Sequence, residues 1–172
     1  MILIALLLVI SGCGANNSTD DTTETISLNQ VGEYSGAPYV YLNNNMPYFT
    51  DEEKENTKPF ENYSSLDDLG RCGVAFANIY KELMPTEERG PIGQIKPSGW
   101  HTVKYNGIID GNYLYNRCHL IGYQLTGENA NELNLITGTR YLNTEGMEGF
   151  ENTVGDYVAE MENHVVWEDT KL

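Results

Sequence analysis

The stretch YNRCHLIGYQL, residues 115–125, has the apolar character of a buried β-strand but also carries reactive side chains. Leu120 and Ile121 are candidates for the hydrophobic core, whereas Arg117 and His119 bring a guanidinium and an imidazole into the same short run. Charged and ionisable groups are seldom placed in a core without a partner or a task. We therefore expect this segment to serve two surfaces, one in the core and one at a functional site.

Four polar residues in and after this stretch form a chemically coherent set. An imidazole such as that of His119 can accept a proton near neutral pH, and the planar guanidinium of Arg117 suits a phosphate group. Asn134 and Asn143 offer amide oxygens, which suit a hard divalent cation or can orient a neighbouring group. Together these groups could hydrolyse a phosphodiester. Taken singly, a structural histidine and turn-forming asparagines are the commoner explanation.

Working outward, several segments are predicted to be β-strands or turns. The predicted strands are YVYLN (39–43), the first half of 70–85, an alternating strand within 97–105 with Trp100, Thr102 and Lys104 on one face, and the apolar run in 131–139. Asp110-Gly111 is predicted to be the turn of a hairpin that leads into residues 115–125. A short helix is predicted from about residue 50, because a threonine N-cap precedes three acidic residues.

One longer helix follows the second asparagine. Its apolar residues recur at helical spacing and are predicted to pack on a sheet: Met147, Phe150, Val154, Val158 and Met161. Strands followed by a covering helix predict an α+β domain with a β-β-α core and an antiparallel sheet.

Length and charge limit the classes of function. The chain has 172 residues, enough for one domain with a real core. Ten basic against 25 acidic residues give a formal charge of −15, which excludes a general electrostatic affinity for nucleic acid or anionic lipid. Any phosphate-binding role must come from a local cluster of basic residues.

The N-terminus predicts export. Residues 1–12 are apolar but too short to span a bilayer, so they are predicted to be a signal peptide. The sequence VISGC resembles a bacterial lipobox, which predicts lipidation of Cys13 and a flexible polar tether over residues 13–30. An uncleaved N-terminal anchor is the alternative; either way the domain lies outside the cytoplasm. A solute-binding lipoprotein is supported by this N-terminus alone.

Two cysteines remain after Cys13. In an extracytoplasmic compartment Cys72 and Cys118 are compatible with a disulfide bond. Two buried free thiols are the alternative.

Residues 115–143, YNRCHLIGYQLTGENANELNLITGTRYLN, resemble the DNA/RNA non-specific endonucleases of the ββα-metal superfamily, particularly the secreted and lipoprotein nucleases of Gram-positive bacteria. The family signature is an Asp-Arg-Gly-His tetrad followed by two asparagines. This chain has NRCH at 116–119, then Asn134 and Asn143. The resemblance covers roughly residues 31–163 and predicts an endonuclease domain over 31–172.

The resemblance implies a role for each matching residue. His119 matches the general base, Arg117 a phosphate contact and Asn134 an asparagine that supports the site. Asn143 matches the protein ligand of a largely hydrated Mg²⁺, with Mn²⁺ as a substitute. Glu151 matches an acidic residue that holds water around the metal; its alternative is a solvated glutamate favoured by the helix dipole.

Three further basic residues near the motif, Lys96, Lys104 and Arg140, are candidates for contacts with the nucleic-acid backbone. Each of them, taken singly, is more simply explained as ordinary surface charge.

Two features depart from the family pattern. Asn116 replaces the aspartate and Cys118 replaces the glycine of the tetrad, so a negative charge is missing from the motif. Family members usually continue beyond the long helix with further strands, whereas here only the segment HVVW (164–167) can form one. We therefore expect a sheet shortened at the C-terminus.

The resemblance as a whole implies a metal-dependent, sequence-non-specific endonuclease acting on DNA at the cell surface, with RNA as a second candidate substrate. The alternative is a catalytically impaired, nuclease-derived lipoprotein that only binds nucleic acid or a partner.

Overall fold

The computed structural model describes residues 28–46, 49–161 and 163–169, and two antiparallel sheets organise them. The strands are β1 (Phe60–Tyr63), β2 (Ala75–Ile79), β3 (Tyr115–His119), β4 (Leu135–Thr139) and β5 (Val165–Asp169). The helices are α1 (Asp51–Glu55), α2 (Tyr123–Thr126) and α3 (Glu148–Met161), with 3₁₀ turns at Leu28–Gln30, Asn43–Asn45 and Lys81–Leu83 and a π-helical turn at Leu142–Met147. One sheet has the order β1-β2-β5, and β3 pairs with β4 in the other.

The hydrophobic core joins the central strand of the larger sheet to the segment that follows β3. Its fully or nearly fully buried apolar residues are Cys72, Ala75, Ala77, Ile79, Leu120, Ile121, Leu125 and Val158. Trp167 on β5 packs against this cluster, and its indole N–H donates to the carbonyl of Leu120 at 3.2 Å. Leu120 and Ile121 therefore anchor the end of β3 in the core, as the sequence predicts.

The β-β-α core is confirmed. β3 and β4 pair from Tyr115↔Thr139 to His119↔Leu135, and the π-helical turn leads directly from β4 into α3. Such π-helical segments are rare and are frequent at functional sites. The helix near residue 50 is also confirmed, because Thr50 and Glu53 form a complete capping box at α1. β5 confirms the strand expected in HVVW.

The predicted apolar stripe of α3 is wrong in part. Its buried residues are Glu151, Gly155 and Val158, whereas Phe150 is 39% exposed and Met161 is 63% exposed. The packing of α2 on α3 gives the reason, because Gly155 lies against Leu125 and Glu151 bonds to Gln124. This contact buries the side of α3 that carries Gly155 and Glu151 instead of the side with Phe150 and Met161.

Two predicted strands are absent from the described residues. Residues 39–43 lead into a 3₁₀ turn in which three consecutive asparagines, Asn43–Asn45, have positive φ angles, a conformation that ends an extended strand. Residues 97–105 make a turn at Gly99 (φ 73°) and form only an isolated bridge between Lys104 and Tyr113. The predicted turn at Asp110-Gly111 lies in the loop that this bridge closes.

The two cysteines are free thiols, so the disulfide prediction is wrong for this structure and the alternative holds. Cys72 contacts the carbonyls of Glu132 and Leu135, while Cys118 lies against Gly138 on β4. Burial raises the pKa of both thiols, that of Cys118 to about 12, so each stays neutral and unreactive.

The predictions for residues 1–12, the lipidation of Cys13 and most of the tether lie outside the described residues. Among the helices that the structure does describe, none has the length and apolar character needed to cross a membrane.

Candidate active site

A cavity of about 660 Å³ opens beside β3 and brings together four of the predicted site residues: Arg117, His119, Asn143 and Glu151. They come from three places in the chain, namely β3, the π-helical turn and the first turns of α3. Asn134, the fifth predicted residue, is fully buried and does not line the cavity.

His119 is the last residue of β3 and is only 6% exposed. Its Nε2 atom lies 2.8 Å from the carbonyl oxygen of Asn129, which can only accept a hydrogen bond. Nε2 must therefore carry the proton in the neutral ring, and the lone pair is on Nδ1, which faces the guanidinium of Arg89. This tautomer leaves Nδ1 as the atom that can accept a proton.

The environment of His119 keeps the imidazole neutral. Burial lowers its pKa below the usual value of 6.5, the carbonyl of Asn129 opposes that shift, and the charge of Arg89 adds to it. A neutral imidazole at pH 7 is ready to act as a general base.

Arg89 is a site residue that the sequence interpretation missed. Its Nη2 atom lies 3.4 Å from Nδ1 of His119, and the side chain lines the cavity. The signal was available, because only ten basic residues occur in this acidic chain and each is informative. The 30 residues that separate Arg89 from His119 hid their proximity.

Arg117 also lines the cavity, but its guanidinium is largely engaged by the protein. Nε donates to the carbonyl of Ile95, Nη2 donates to the carbonyl of Gly93 at 3.0 Å, and the group lies 3.7 Å from the centre of the Trp100 ring. Arg117 therefore fixes the loop around residues 93–100 against β3. Arg89, rather than Arg117, is the guanidinium next to the imidazole of His119.

The side chain of Asn134 binds the backbone that follows His119. Its side-chain oxygen accepts from the N–H of Ile121 at 2.8 Å, and its side-chain nitrogen donates to the carbonyl of Ile121 at 3.0 Å. Its own carbonyl accepts from the N–H of Leu120 at 3.0 Å. These three bonds replace the ladder where β3 ends, and they hold the chain immediately after His119.

Glu151 is buried, so it is not the solvated helix-start glutamate that the sequence left as the alternative. It is 9% exposed, and its Oε2 atom accepts from Nε2 of Gln124 at 3.0 Å. A side-chain carbon at Gly122 would lie 2.8 Å from this carboxyl group, so a larger residue there would displace the carboxyl group from its present position. Burial raises the pKa of Glu151; Gln124 and Arg89 oppose the shift, whereas Glu148 adds to it.

The donors around the cavity fit a hard, largely hydrated divalent cation. Asn116, Asn143, Glu148 and Glu151 all line it and carry oxygen donors, and both thiols of the described chain are buried outside it. Among the described residues no group of three or more His, Cys, Asp or Glu side chains is arranged to hold a metal. A dehydrated, protein-caged ion is therefore a poor fit, whereas an ion that keeps most of its waters is a good one.

Lys96, Lys104 and Arg140, the other predicted nucleic-acid contacts, do not line the cavity. Arg140 pairs with Asp110 at 3.0 Å, and the Lys104 ammonium lies 4.6 Å from the centre of the Tyr113 ring. Lys96 is exposed. Their contacts with nucleic acid stay a prediction.

The sequence profile of the family described as DNA/RNA non-specific endonuclease matches residues 49–169, about 70% of the chain. The chain belongs to this family. No curated protein matches it. The predicted domain boundary at residue 31 stays a prediction, because the match begins 18 residues later.

Solved structures of nucleases share the fold of this endonuclease domain. NucA from Streptococcus agalactiae with magnesium bound is 24% identical with a TM-score of 0.59, over 68% of this chain and 58% of that one. The same protein without metal is 22% identical with a TM-score of 0.57, over 70% of this chain and 59% of that one. The Sda1 nuclease with bound zinc is 26% identical, with a TM-score of 0.54, over 69% of this chain and 67% of that one. The chain thus spans just under three fifths of the length of NucA.

The buried carboxyl group of Glu151 is expected to lower the stability of this endonuclease domain at neutral pH while it serves activity. Because its folded-state pKa is raised, Glu151 binds its proton more tightly in the folded than in the unfolded protein. Stability is therefore highest below the unfolded pKa of 4.5 and falls as the pH rises through the folded pKa. Glu151→Gln is expected to raise the melting temperature at pH 7 and to lower nuclease activity about 10- to 100-fold.

The measurement is thermal unfolding followed by circular dichroism at pH 4 and pH 7, with plasmid hydrolysis in parallel. The gain in melting temperature should shrink at the lower pH, where Glu151 is itself neutral. Glu160→Gln, an exposed change on the same helix, serves as the control and should alter neither property. A lower melting temperature for Glu151→Gln at pH 7 would contradict the assignment.

Proposed function

We propose that this chain is a metal-dependent, sequence-non-specific endonuclease that hydrolyses phosphodiester bonds of DNA, with RNA as a second candidate substrate. The observation that carries the proposal is the position of the two ring nitrogens of His119. Its Nε2 is fixed on the carbonyl of Asn129, which leaves Nδ1 as a base in a polar cavity beside the Arg89 guanidinium. Membership of the nuclease family supports the same activity.

In this proposal Nδ1 of His119 takes a proton from the attacking water as its oxygen bonds to phosphorus. The P–O bond to the leaving sugar oxygen breaks, and that oxygen takes a proton from solvent water in the open cavity. The carbonyl of Asn129 stabilises the imidazolium that forms, because it keeps its hydrogen bond to Nε2 throughout. Arg89 is the nearest guanidinium to this atom and stabilises the charge that develops on the phosphate oxygens.

Asn143 would hold the divalent ion, with Asn116, Glu148 and Glu151 facing the water around it. Such an ion acts as a Lewis acid on the phosphoryl oxygens and offsets their charge. Mg²⁺ is the ion that best suits a sparse set of oxygen ligands, and Mn²⁺ can take its place. The neighbouring structures contain magnesium in NucA and zinc in Sda1.

The test is degradation of supercoiled plasmid by residues 14–172, with Mg²⁺, Mn²⁺ or Zn²⁺ and with EDTA. We expect cleavage with Mg²⁺ or Mn²⁺, complete loss in EDTA and recovery when the metal is restored. Cleavage that continues in EDTA would refute the metal-dependent mechanism. A folded protein that binds DNA but cleaves it with none of the three metals would instead support the alternative, a nuclease-derived binding protein in which Asn116 has removed a needed charge.

We further propose that the domain acts outside the cytoplasm, attached to the outer face of the membrane by lipid on Cys13. The support is the apolar segment of residues 1–12 followed by the lipobox-like VISGC. Incorporation of labelled palmitate into the full chain, and its loss in Cys13→Ala, would test this localisation. Equal labelling of both proteins would exclude it.

A further inference from the structure

Besides His119, four aromatic side chains line the cavity, and three of them contact a neighbouring cationic or imidazole group. The pairs are Arg117 with Trp100 at 3.7 Å, Lys104 with Tyr113 at 4.6 Å, and His101 with Tyr115 at 4.5 Å, each measured to the ring centre. Two of the four cations that the sequence suggests for phosphate contacts, those of Arg117 and Lys104, are thus placed against aromatic rings. We call Trp100, Tyr113 and Tyr115 the aromatic wall.

The aromatic wall is already ordered before any ligand binds. Arg117 is itself fixed by hydrogen bonds to the carbonyls of Gly93 and Ile95, so the indole of Trp100 rests on a rigid support. A ring that is held in place loses little conformational freedom when a ligand stacks on it. The wall is therefore suited to binding flat π-systems.

Charge alone does not explain how the cavity would hold a polyanion. Arg89 and Arg117 line it together with Glu148 and Glu151, so the formal charges of these four cancel. The whole chain carries −15. Protein-bound single strands gain affinity from base stacking on aromatic side chains, which does not depend on net charge.

In a duplex the bases are stacked on one another inside the helix, and their faces are not available to a protein ring. We infer that the aromatic wall binds unpaired bases, and that the enzyme therefore prefers single-stranded nucleic acid over duplex of the same sequence. This inference rests on the proposed endonuclease function, to which it adds a preferred substrate class and a subsite that binds nucleic-acid bases.

The first test measures binding without cleavage. Trp100 and Trp167 are the only tryptophans, so the full chain with His119→Ala and Trp167→Phe reports on Trp100 alone. In EDTA, a short single-stranded oligodeoxynucleotide should quench its fluorescence, with an affinity about tenfold higher than that of the annealed duplex. Equal affinities, or binding without quenching, would overturn the inference.

The second test compares hydrolysis of the two substrates in the Mg²⁺-loaded enzyme. Trp100→Leu should lower kcat/KM for the single strand about tenfold, mainly through KM, and should change that for duplex less than about twofold. Tyr113→Leu provides a second variant of the wall. Tyr105→Leu removes an exposed aromatic ring from the same segment that does not line the cavity, and it should leave both rates unchanged.

The outcomes separate this inference from the proposed function. Equal hydrolysis of both substrates, with equal losses in Trp100→Leu, would refute the aromatic subsite while leaving the nuclease activity intact. Quenching by single strands without hydrolysis under any metal condition would support the subsite and contradict the proposed catalysis.

Discussion

Replacing His119 by alanine is expected to lower the rate of plasmid hydrolysis by about 10²- to 10⁴-fold, the usual contribution of a positioned general base. The effect should fall on kcat, because in the proposed mechanism His119 accepts a proton only during the reaction and does not hold the substrate. Binding of a single-stranded oligonucleotide should change little. The measurement is steady-state hydrolysis at saturating Mg²⁺, with circular dichroism to confirm that the variant is folded.

His164→Ala is the matched control for this prediction. That histidine stacks on Tyr80 with ring centres 4.8 Å apart and does not line the cavity, so its loss should leave hydrolysis unchanged. A variant that lacks His119 and still cleaves within about threefold of the wild type would exclude the imidazole as the base.

The pH dependence gives a second readout of the same residue. Only the neutral imidazole can accept a proton, and burial lowers the pKa of His119 below 6.5. Activity should therefore rise with pH through an inflection below 6.5 and be level from there to neutral pH. An inflection above 6.5 would mean that the base is another group or that the environment of His119 differs in solution.

Replacing Asn134 by alanine is expected to reduce the free energy of unfolding by about 2 to 5 kcal/mol, because it leaves both backbone groups of Ile121 without their partner. Ile121 is fully buried, so water cannot replace the lost bonds without opening the core. Activity should fall as well, since the segment that follows His119 loses its anchor. Urea unfolding followed by tryptophan fluorescence would measure the change.

Asn62→Ala is a suitable control, because Asn62 is exposed on β1 and should change the free energy of unfolding by less than about 0.5 kcal/mol. If Asn134→Ala proved as stable as this control, the side chain could not be the clamp between β3 and β4. Lost activity with unchanged stability would point instead to a direct part in the reaction.

The site could be predicted from the sequence where its residues belong to one compact motif. His119, Asn134 and Asn143 lie within 25 consecutive residues, and regular elements carry them to fixed relative positions. Glu151 was predicted by resemblance, but its burial was not, because the apolar pattern indicated a different face of α3. That face is set by the packing of α3 on α2, where Gly155 lies against Leu125 and Glu151 bonds to Gln124.

Arg89 and the aromatic wall could not be predicted in the same way. Between Leu83 and Tyr115 the chain forms neither a helix nor a strand that periodicity could reveal. Side chains that bond to distant backbone groups hold this segment instead, including Arg117 on Gly93 and the Tyr123 hydroxyl on the carbonyl of Glu87 at 2.7 Å. Such contacts cannot be predicted from the spacing of residues in the sequence.

By itself, then, the sequence determined the β-β-α core and pointed to His119 as the candidate base, because strand alternation, helical spacing and motif order act over a few residues. Only the tertiary structure decided which nitrogen of His119 is free, which arginine stands beside it, and that Cys72 and Cys118 remain apart. These properties depend on burial and on hydrogen-bond partners such as Asn129 and Arg89, which reach the site from loops outside the strand that carries His119.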